Sequence, residues 1–146
     1  MEMNAMDIIL VEDNPSDAEL TIRGLRKNKL INEIIHLKDG AEALEYLFSN
    51  EKFTSRSGTL TIKVILLDIK MPKVDGKQLL KIIKADPILN KVPVVVLSSS
   101  QEERDIFDCY KLGVNSYIVK PVEFDKFMRV VELVGLYWTS YNQMPK

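Results

Sequence analysis

Five side chains suited to metal binding or phosphoryl transfer stand directly after short apolar runs of this chain. Glu12 and Asp13 follow the first run, Asp68 follows the third, Ser98 the fourth and Lys120 the fifth. Three carboxylates packed together repel one another, and a hard divalent cation relieves that repulsion. Magnesium takes oxygen ligands and keeps several waters, which leaves a position for a phosphoryl oxygen. With Lys120 as a second positive charge, Ser98 as a hydrogen-bond donor and one carboxylate as the nucleophile, the set predicts phosphoryl transfer with Mg²⁺ as cofactor.

The apolar runs predict the strands that would position these side chains. Most of them are continuous and β-branched, as expected for strands covered on both faces. Between them, apolar residues recur at helical spacing, as in the stripe of Ile106, Cys109 and Tyr110 and in the long stripe from Phe124 to Trp138. Five strand–helix alternations predict an α/β fold with a parallel sheet, whose strands all end at one edge. The runs lie at 7–11, 34–37, 64–67, 94–97 and 117–119.

Polar residues mark where several of the helices begin. Asn14 followed by Pro15 predicts an N-cap and a first-turn proline, and Asp17 adds an acid to the same turn. The pairs at 39–40 and 75–76 are both Asp-Gly, which is typical of turns leading into helices. These positions support the same alternation of strands and helices.

Composition and charge exclude several classes of protein. The 146 residues are 46% hydrophobic, and 20 basic against 21 acidic residues give a net charge of −1, without the basic excess of a nucleic-acid binder. No apolar run approaches the ~18 residues of a membrane span, and the start at 1–6 lacks the pattern of a signal peptide. The single cysteine, Cys109, excludes an internal disulfide and fits a reducing compartment. We therefore expect a cytoplasmic protein that binds neither nucleic acid nor membranes.

We expect one domain over residues 1–146, with no effector domain. Its core is expected at about 7–138, with a C-terminal tail at 139–146. The polar, aperiodic stretch at 49–58 predicts a surface loop before the third strand.

Four segments together resemble the receiver domain of two-component response regulators, and the resemblance covers about 7–138. It implies a flavodoxin-like, doubly wound sheet of five parallel strands in the order 2-1-3-4-5, with five helices in three layers. Within the family, the chain most resembles the small stand-alone regulators paired with phytochrome-type kinases. The four segments are Ile-Leu-Val-Glu-Asp at 9–13, Leu-Leu-Asp-Ile-Lys-Met-Pro-Lys-Val-Asp-Gly at 66–76, Val-Leu-Ser-Ser at 96–99 and Tyr-Ile-Val-Lys-Pro at 117–121.

The resemblance implies that Asp68 is phosphorylated by a sensor histidine kinase or a phosphotransfer protein. Mg²⁺ would be held by Asp13, Asp68 and the backbone carbonyl of Lys70. Glu12 stands where the family more often has aspartate, and its longer arm allows contact with the metal through a water.

Further roles follow from the same resemblance. Lys120 and Ser98 would contact the phosphoryl group, and Ser98 with Tyr117 would form the conformational switch. The Lys120–Pro121 bond is expected to be cis, which X–Pro bonds tolerate at small energetic cost. The protein would then be a phosphoacceptor and not an enzyme, with slow autodephosphorylation at most. Its output would reach a separate downstream protein, or a second copy through the face of the fourth helix, fifth strand and fifth helix, or through the aromatic end at 137–138.

Two other classes of function stay open at this level. An aspartate-nucleophile phosphatase also uses Mg²⁺, but it needs an acid two residues after the nucleophile, where this chain has Lys70. A phosphorylation-independent docking module on the same fold would not need Asp68, Ser98 or Lys120, all of which are present. A nucleotide switch is excluded because neither Gly-rich phosphate-binding motif occurs. His36 is expected to be structural and Cys109 to be a small core residue.

Overall fold

The computed structural model describes residues 8–31, 33–49, 62–71 and 74–145. A short 3₁₀ turn, Leu89–Lys91, follows the third helix, and a π-helical turn, Tyr137–Tyr141, continues the fifth. The strands are β1 Ile8–Val11, β2 Ile34–Leu37, β3 Val64–Leu67, β4 Val94–Ser98 and β5 Ser116–Val119. The helices are α1 Pro15–Leu25, α2 Gly40–Ser49, α3 Gly76–Ala85, α4 Glu103–Lys111 and α5 Phe124–Leu136.

All five strands run parallel, in the order β2-β1-β3-β4-β5. This confirms the strand order and the parallel sheet. In the register, Val11 pairs with both Leu37 and Leu67, and Ser98 pairs with Val119. The last residues of β1, β2 and β3 therefore lie side by side, as do those of β4 and β5, and β4 extends two residues beyond the end of β3. The residues that follow the strands share one edge of the sheet.

The strands alternate their side chains between two apolar layers. Ile9 and Val11 point into the layer that contains residues of α2, α3 and α4. Ile8 and Leu10 point into the opposite layer, with residues of α1 and α5. Because both faces of the central strands are covered, β1, β3 and β4 are buried along their whole length, which explains their unbroken apolar sequences.

Side-chain caps stand at the start of α1 and α3, and the cap of α1 by Asn14 is the one that the sequence predicts. The Asn14 side chain accepts a hydrogen bond from the backbone N–H of Asp17 at 3.0 Å, and Pro15 begins α1. Asp75 and Gln78 form a reciprocal capping box at the start of α3. These caps satisfy backbone N–H groups that have no partner within the helix.

The structure corrects the expected apolar stripe of α4 and extends the last helix. Tyr110 is 52% exposed, and the buried residues of α4 are instead Cys109 and Asp105, which is 4% exposed. At the C-terminal end of the chain, helical structure runs to Tyr141, so the tail predicted at 139–146 begins later. None of the helices in the described part of the chain is long and apolar enough to cross a membrane.

Part of the predicted loop at 49–58 can be compared with the structure. Ser49 is the last residue of α2, and residues 50–58 lie outside the described residues, as does the first residue of the apolar run at 7–11.

Candidate functional site

The backbone continues the strand pairing one residue beyond the strands and so fixes the positions of the polar residues there. The N–H of Glu12 donates to the carbonyl of Leu37 at 3.0 Å, and the N–H of Asp68 donates to the carbonyl of Val11 at 3.0 Å. The N–H of Lys120 donates to the carbonyl of Ser98 at 2.7 Å. These bonds place the side chains at the carboxyl edge of the sheet, where open α/β sheets bind ligands.

Three carboxylates meet at this edge. One oxygen from each of Glu12, Asp13 and Asp68 lies within 4.8 Å of the others. Glu12 is 2% exposed and Asp68 7%, while Asp13 is the most accessible of the three. The donor set is all carboxylate oxygen, with one ligand open to solvent, and it fits a hard divalent cation better than a soft transition metal.

The ammonium group of Lys120 is bound among the acids of the same edge. Its Nζ lies 2.7 Å from Glu12 Oε1, 2.8 Å from Asp17 Oδ2 and 3.6 Å from Asp68 Oδ2. Burial of Lys120 disfavours its charge, but the hydrogen bonds to Asp17 and Glu12 outweigh burial and raise its pKa to about 12. Lys120 is therefore a permanent positive charge at this site.

Glu12 is the carboxylate of the cluster whose charge is most disfavoured by its surroundings. Its burial, followed by the charge of Asp68, raises the pKa of Glu12 to about 7, although Lys120 acts in the opposite direction. The second carboxylate oxygen, Oε2, accepts a hydrogen bond from the N–H of Asn14 at 3.2 Å. The backbone carbonyl of Glu12 accepts one from Nε2 of His36 at 2.9 Å. One ammonium shared by several acids leaves a net negative cavity, which a divalent cation would neutralise.

Asp68 is held in a defined orientation beside Lys120. Its Oδ1 accepts a hydrogen bond from the N–H of Lys70 at 3.1 Å, and its Oδ2 faces the Lys120 ammonium. The Lys70 side chain turns away from the acids and pairs with Asp105 at 3.3 Å. The carboxylate of Asp68 is thus fixed at one oxygen by a backbone donor, which presents its other oxygen to the cavity.

Ser98 and Tyr117 meet through one residue of the β4–α4 loop. Ser98 is fully buried, and its Oγ accepts a hydrogen bond from the N–H of Ser100 at 3.2 Å. The Tyr117 hydroxyl donates to the Ser100 carbonyl at 2.9 Å, and burial of the ring raises the pKa of that hydroxyl. Ser98 and Tyr117 are therefore both hydrogen-bonded to the backbone of Ser100.

Two acidic residues of this region have contacts that the sequence pattern does not predict. Asp17 has the pattern of a first-turn helix acid only, yet it pairs with Lys120. Asp105 accepts a hydrogen bond from the Ser100 hydroxyl and pairs with Lys77 at 2.7 Å. The hydrogen bond from Lys77 is the main reason that the pKa of Asp105 lies at about 2. Asp105 precedes Cys109 by four residues and so lies on the same helix face as that buried cysteine. This spacing is the sequence signal that could have identified Asp105 as a buried acid.

One expectation for this edge is wrong. The Lys120–Pro121 peptide bond is trans, whereas the resemblance implied a cis bond. Trans is the lower-energy isomer of an X–Pro bond by roughly 0.5–1 kcal/mol. In this geometry the Lys120 N–H keeps its hydrogen bond to Ser98.

Comparison with known proteins yields one family and several close relatives. A family model described as the response regulator receiver domain matches residues 8–132. The chain is 38% identical over 138 residues to a probable methanogenesis regulatory protein, FilR2, of Methanothrix harundinacea, which covers 94% of this chain and 86% of the relative. It is 33% identical over 138 residues to the response regulator Rcp1 of Synechocystis, which covers 94% of this chain and 92% of the relative.

Two solved structures have nearly the same fold as the whole chain. The crystal structure of the phosphorylated cyanobacterial phytochrome response regulator RcpA matches with a TM-score of 0.85 at 36% identity, covering 98% of this chain and 100% of that one. The Mn²⁺-bound form of Rcp1 matches with a TM-score of 0.84 at 32% identity, covering 97% and 99% of the two chains. The match therefore includes both the strand edge and the C-terminal helix.

Proposed function

The chain belongs to the response regulator receiver-domain family, and on that basis we propose that Asp68 accepts a phosphoryl group from a sensor histidine kinase or phosphotransfer protein. Receiver domains are signalling proteins that bind divalent metal and interact with such donors and with downstream effectors. The observation that carries the proposal is the position of Asp68. Its carboxylate lies between the backbone N–H of Lys70 at 3.1 Å and the ammonium of Lys120 at 3.6 Å, beside two further acids.

The transfer step exchanges a P–N bond for a P–O bond. A carboxylate oxygen of Asp68 attacks the phosphorus of a phosphohistidine, and the P–N bond breaks as the O–P bond forms. The imidazole leaves with the bonding electron pair and takes up a proton. The hydrogen bond from Lys70 holds the attacking carboxylate in one orientation, which lowers the cost of reaching the in-line geometry.

The metal ligands that we propose are Glu12, Asp13, Asp68 and the backbone carbonyl of Lys70. The clustering of the three carboxylates supports this set. When bound, Mg²⁺ supplies positive charge that offsets the charge of the transferring phosphoryl oxygens. Lys120 contributes a second positive charge, and its raised pKa keeps that charge present at neutral pH.

The switch that we propose runs from Ser98 to Tyr117. The Ser98 hydroxyl turns toward the phosphoryl group and gives up its contact with the N–H of Ser100. Because Tyr117 is hydrogen-bonded to the carbonyl of Ser100, the same movement biases the position of its ring. The output is a changed affinity of the α4–β5–α5 face, which exposes Phe107 and Tyr110, for a separate downstream protein or a second copy.

Small phosphodonors test the proposed function without knowledge of the kinase. The protein is incubated with acetyl phosphate, with and without Mg²⁺, and its intact mass is measured. We expect a Mg²⁺-dependent gain of one phosphoryl group that Asp68→Asn abolishes. An unchanged adduct on Asp68→Asn would move the site elsewhere, and turnover of phosphomonoesters would favour the phosphatase alternative.

A further inference from the structure

We propose that Asp17 is a positioning residue that holds the Lys120 ammonium away from Asp68 until a phosphoryl group competes for it. This inference rests on the proposed function of Asp68 and adds a means by which the chain regulates its own phosphorylation. Asp17 lies in the first turn of α1, outside the set of proposed metal ligands, and its side chain is 32% exposed.

The distances divide the partners of Lys120 into two groups. Its Nζ hydrogen-bonds to Glu12 at 2.7 Å and to Asp17 at 2.8 Å. The nearest oxygen of Asp68 lies at 3.6 Å, which is beyond hydrogen-bonding distance. Lys120 is therefore bound by two acids that do not accept the phosphoryl group.

The backbone of α1 fixes Asp17 in the position that it needs for this contact. Its N–H donates to the Asn14 side chain at 3.0 Å, and its carbonyl accepts from the Thr21 hydroxyl at 2.7 Å. Both bonds use backbone atoms of Asp17, so its carboxylate is left to bind Lys120. Replacing the carboxylate by an amide leaves these two bonds in place.

Burial decides which of the two acids Lys120 releases. A phosphoryl group on Asp68 presents strong acceptor oxygens, and an ammonium has only three protons to share. Glu12 is 2% exposed, so its carboxylate has almost no water to replace the Lys120 ammonium. Asp17 is partly exposed, so water can solvate its carboxylate after Lys120 leaves. The Asp17–Lys120 bond is therefore the one that breaks when Asp68 is phosphorylated.

A double-mutant cycle tests whether Asp17 acts through Lys120. The rate of adduct formation with acetyl phosphate and Mg²⁺ is measured for the wild type, Asp17→Asn, Lys120→Met and the double variant. We expect Asp17→Asn to accelerate the reaction by roughly two- to fivefold, the range of a partly exposed ion pair. The same substitution should have no effect in the Lys120→Met background. Equal acceleration in both backgrounds would overturn the proposal, because it would show a general effect of negative charge.

Two variants separate the contact from charge and from helix structure. Glu19→Gln removes an acid from the same helix, where Glu19 pairs with Arg23 at 3.3 Å, and should leave the rate unchanged. Asp17→Glu restores the acid and should return the rate toward that of the wild type. Acceleration by Glu19→Gln as large as that by Asp17→Asn would contradict the inference.

A metal-free measurement keeps the inference testable if a Lys120 variant fails to fold. The side-chain ¹⁵N NMR spectrum of the ¹⁵N-labelled protein should contain a Lys120 ammonium resonance whose protons are protected from exchange with water. We expect its protection to fall in Asp17→Asn and to persist in Glu19→Gln, and unchanged protection in Asp17→Asn would overturn the proposal. If the wild-type protein forms no phosphoryl adduct, the proposed function fails, whatever the NMR spectrum contains. If the wild-type protein forms the adduct and Asp17→Asn does not alter the rate, only the proposed role of Asp17 fails.

Discussion

The hydroxyl of Tyr117 donates a hydrogen bond to the backbone carbonyl of Ser100 at 2.9 Å. Ser100 also donates its N–H to the buried Ser98 and its hydroxyl to Asp105. One residue of the β4–α4 loop thus connects the end of β4, the ring carried by β5 and the first turn of α4. Ser100 is therefore the residue through which hydrogen bonds link these three positions.

Tyr117→Phe tests this connection with little change in packing. The variant keeps the ring against the core and loses the hydrogen bond to Ser100. We expect the free energy of unfolding to fall by about 1 kcal/mol. Urea denaturation measures the loss, and phosphorylation by acetyl phosphate should proceed at the wild-type rate. If Tyr117→Phe were phosphorylated much more slowly than the wild type, the result would contradict a role of Tyr117 that is confined to the output of the switch.

Asp105→Asn tests the ion pairs that anchor α4. Asp105 is 4% exposed and pairs with Lys77 at 2.7 Å, so the substitution removes the charge of a buried acceptor that binds the Lys77 ammonium and the Ser100 hydroxyl. We expect a loss of about 1–3 kcal/mol in the free energy of unfolding. Asp108→Asn is the matched control, because Asp108 pairs with the same lysine but is more accessible. Its loss should be clearly smaller than that of Asp105→Asn because a solvent-exposed ion pair contributes little. Equal losses in the two variants would contradict the proposed importance of the buried Asp105.

Asp68→Asn should stabilise the metal-free fold. The charge of Asp68 contributes to the raised pKa of Glu12, so the two carboxylates repel each other. An amide removes that repulsion and can still accept the hydrogen bond from Lys70. We expect a gain of about 1 kcal/mol in urea denaturation without metal, on the scale of a shift of one pKa unit. Asp13→Asn, at the more accessible acid, should give a smaller gain, and destabilisation by Asp68→Asn would contradict the crowding of charge.

Cys109 provides the pH-dependent prediction. Burial raises the pKa of its thiol to about 11, so the folded protein keeps it neutral above the pH at which an unfolded chain ionises it. A raised pKa of this kind contributes stability at lower pH, and that contribution is lost as the pH rises from about 9 toward 11. We expect the unfolding midpoint of the wild type to fall over this range more steeply than that of Cys109→Ala. Rapid alkylation of the native thiol at pH 8 would contradict the burial.

Much of the fold could be predicted because the sequence pattern reflects the sheet directly. The runs at 8–11, 64–67 and 94–97 are apolar at every position because β1, β3 and β4 are covered on both faces. Parallel strands end at one edge, so the residues after them, such as Glu12 and Asp68, could be expected to meet. Their roles in phosphorylation and metal binding stay predictions until they are measured.

Other features depend on tertiary contacts that spacing does not reveal. The pairing of Asp17 with Lys120 joins the first turn of α1 to the end of β5, and both residues have ordinary local explanations in the sequence. Asp105 is buried although acids are rarely buried, because Ser100 and Lys77 satisfy it from other elements. Tyr110 lies in an apolar stripe yet is half exposed, since the face of α4 that meets the core is centred on Asp105 and Cys109.

The most direct test locates the phosphoryl group chemically. An aspartyl phosphate is an acyl phosphate, and borohydride reduces it to the side chain of homoserine, which peptide mass spectrometry identifies by position. After treatment with acetyl phosphate and Mg²⁺, we expect this conversion at Asp68 and its absence when Mg²⁺ is omitted. Conversion at Asp13 or another acid, with Asp68 unmodified, would contradict the account.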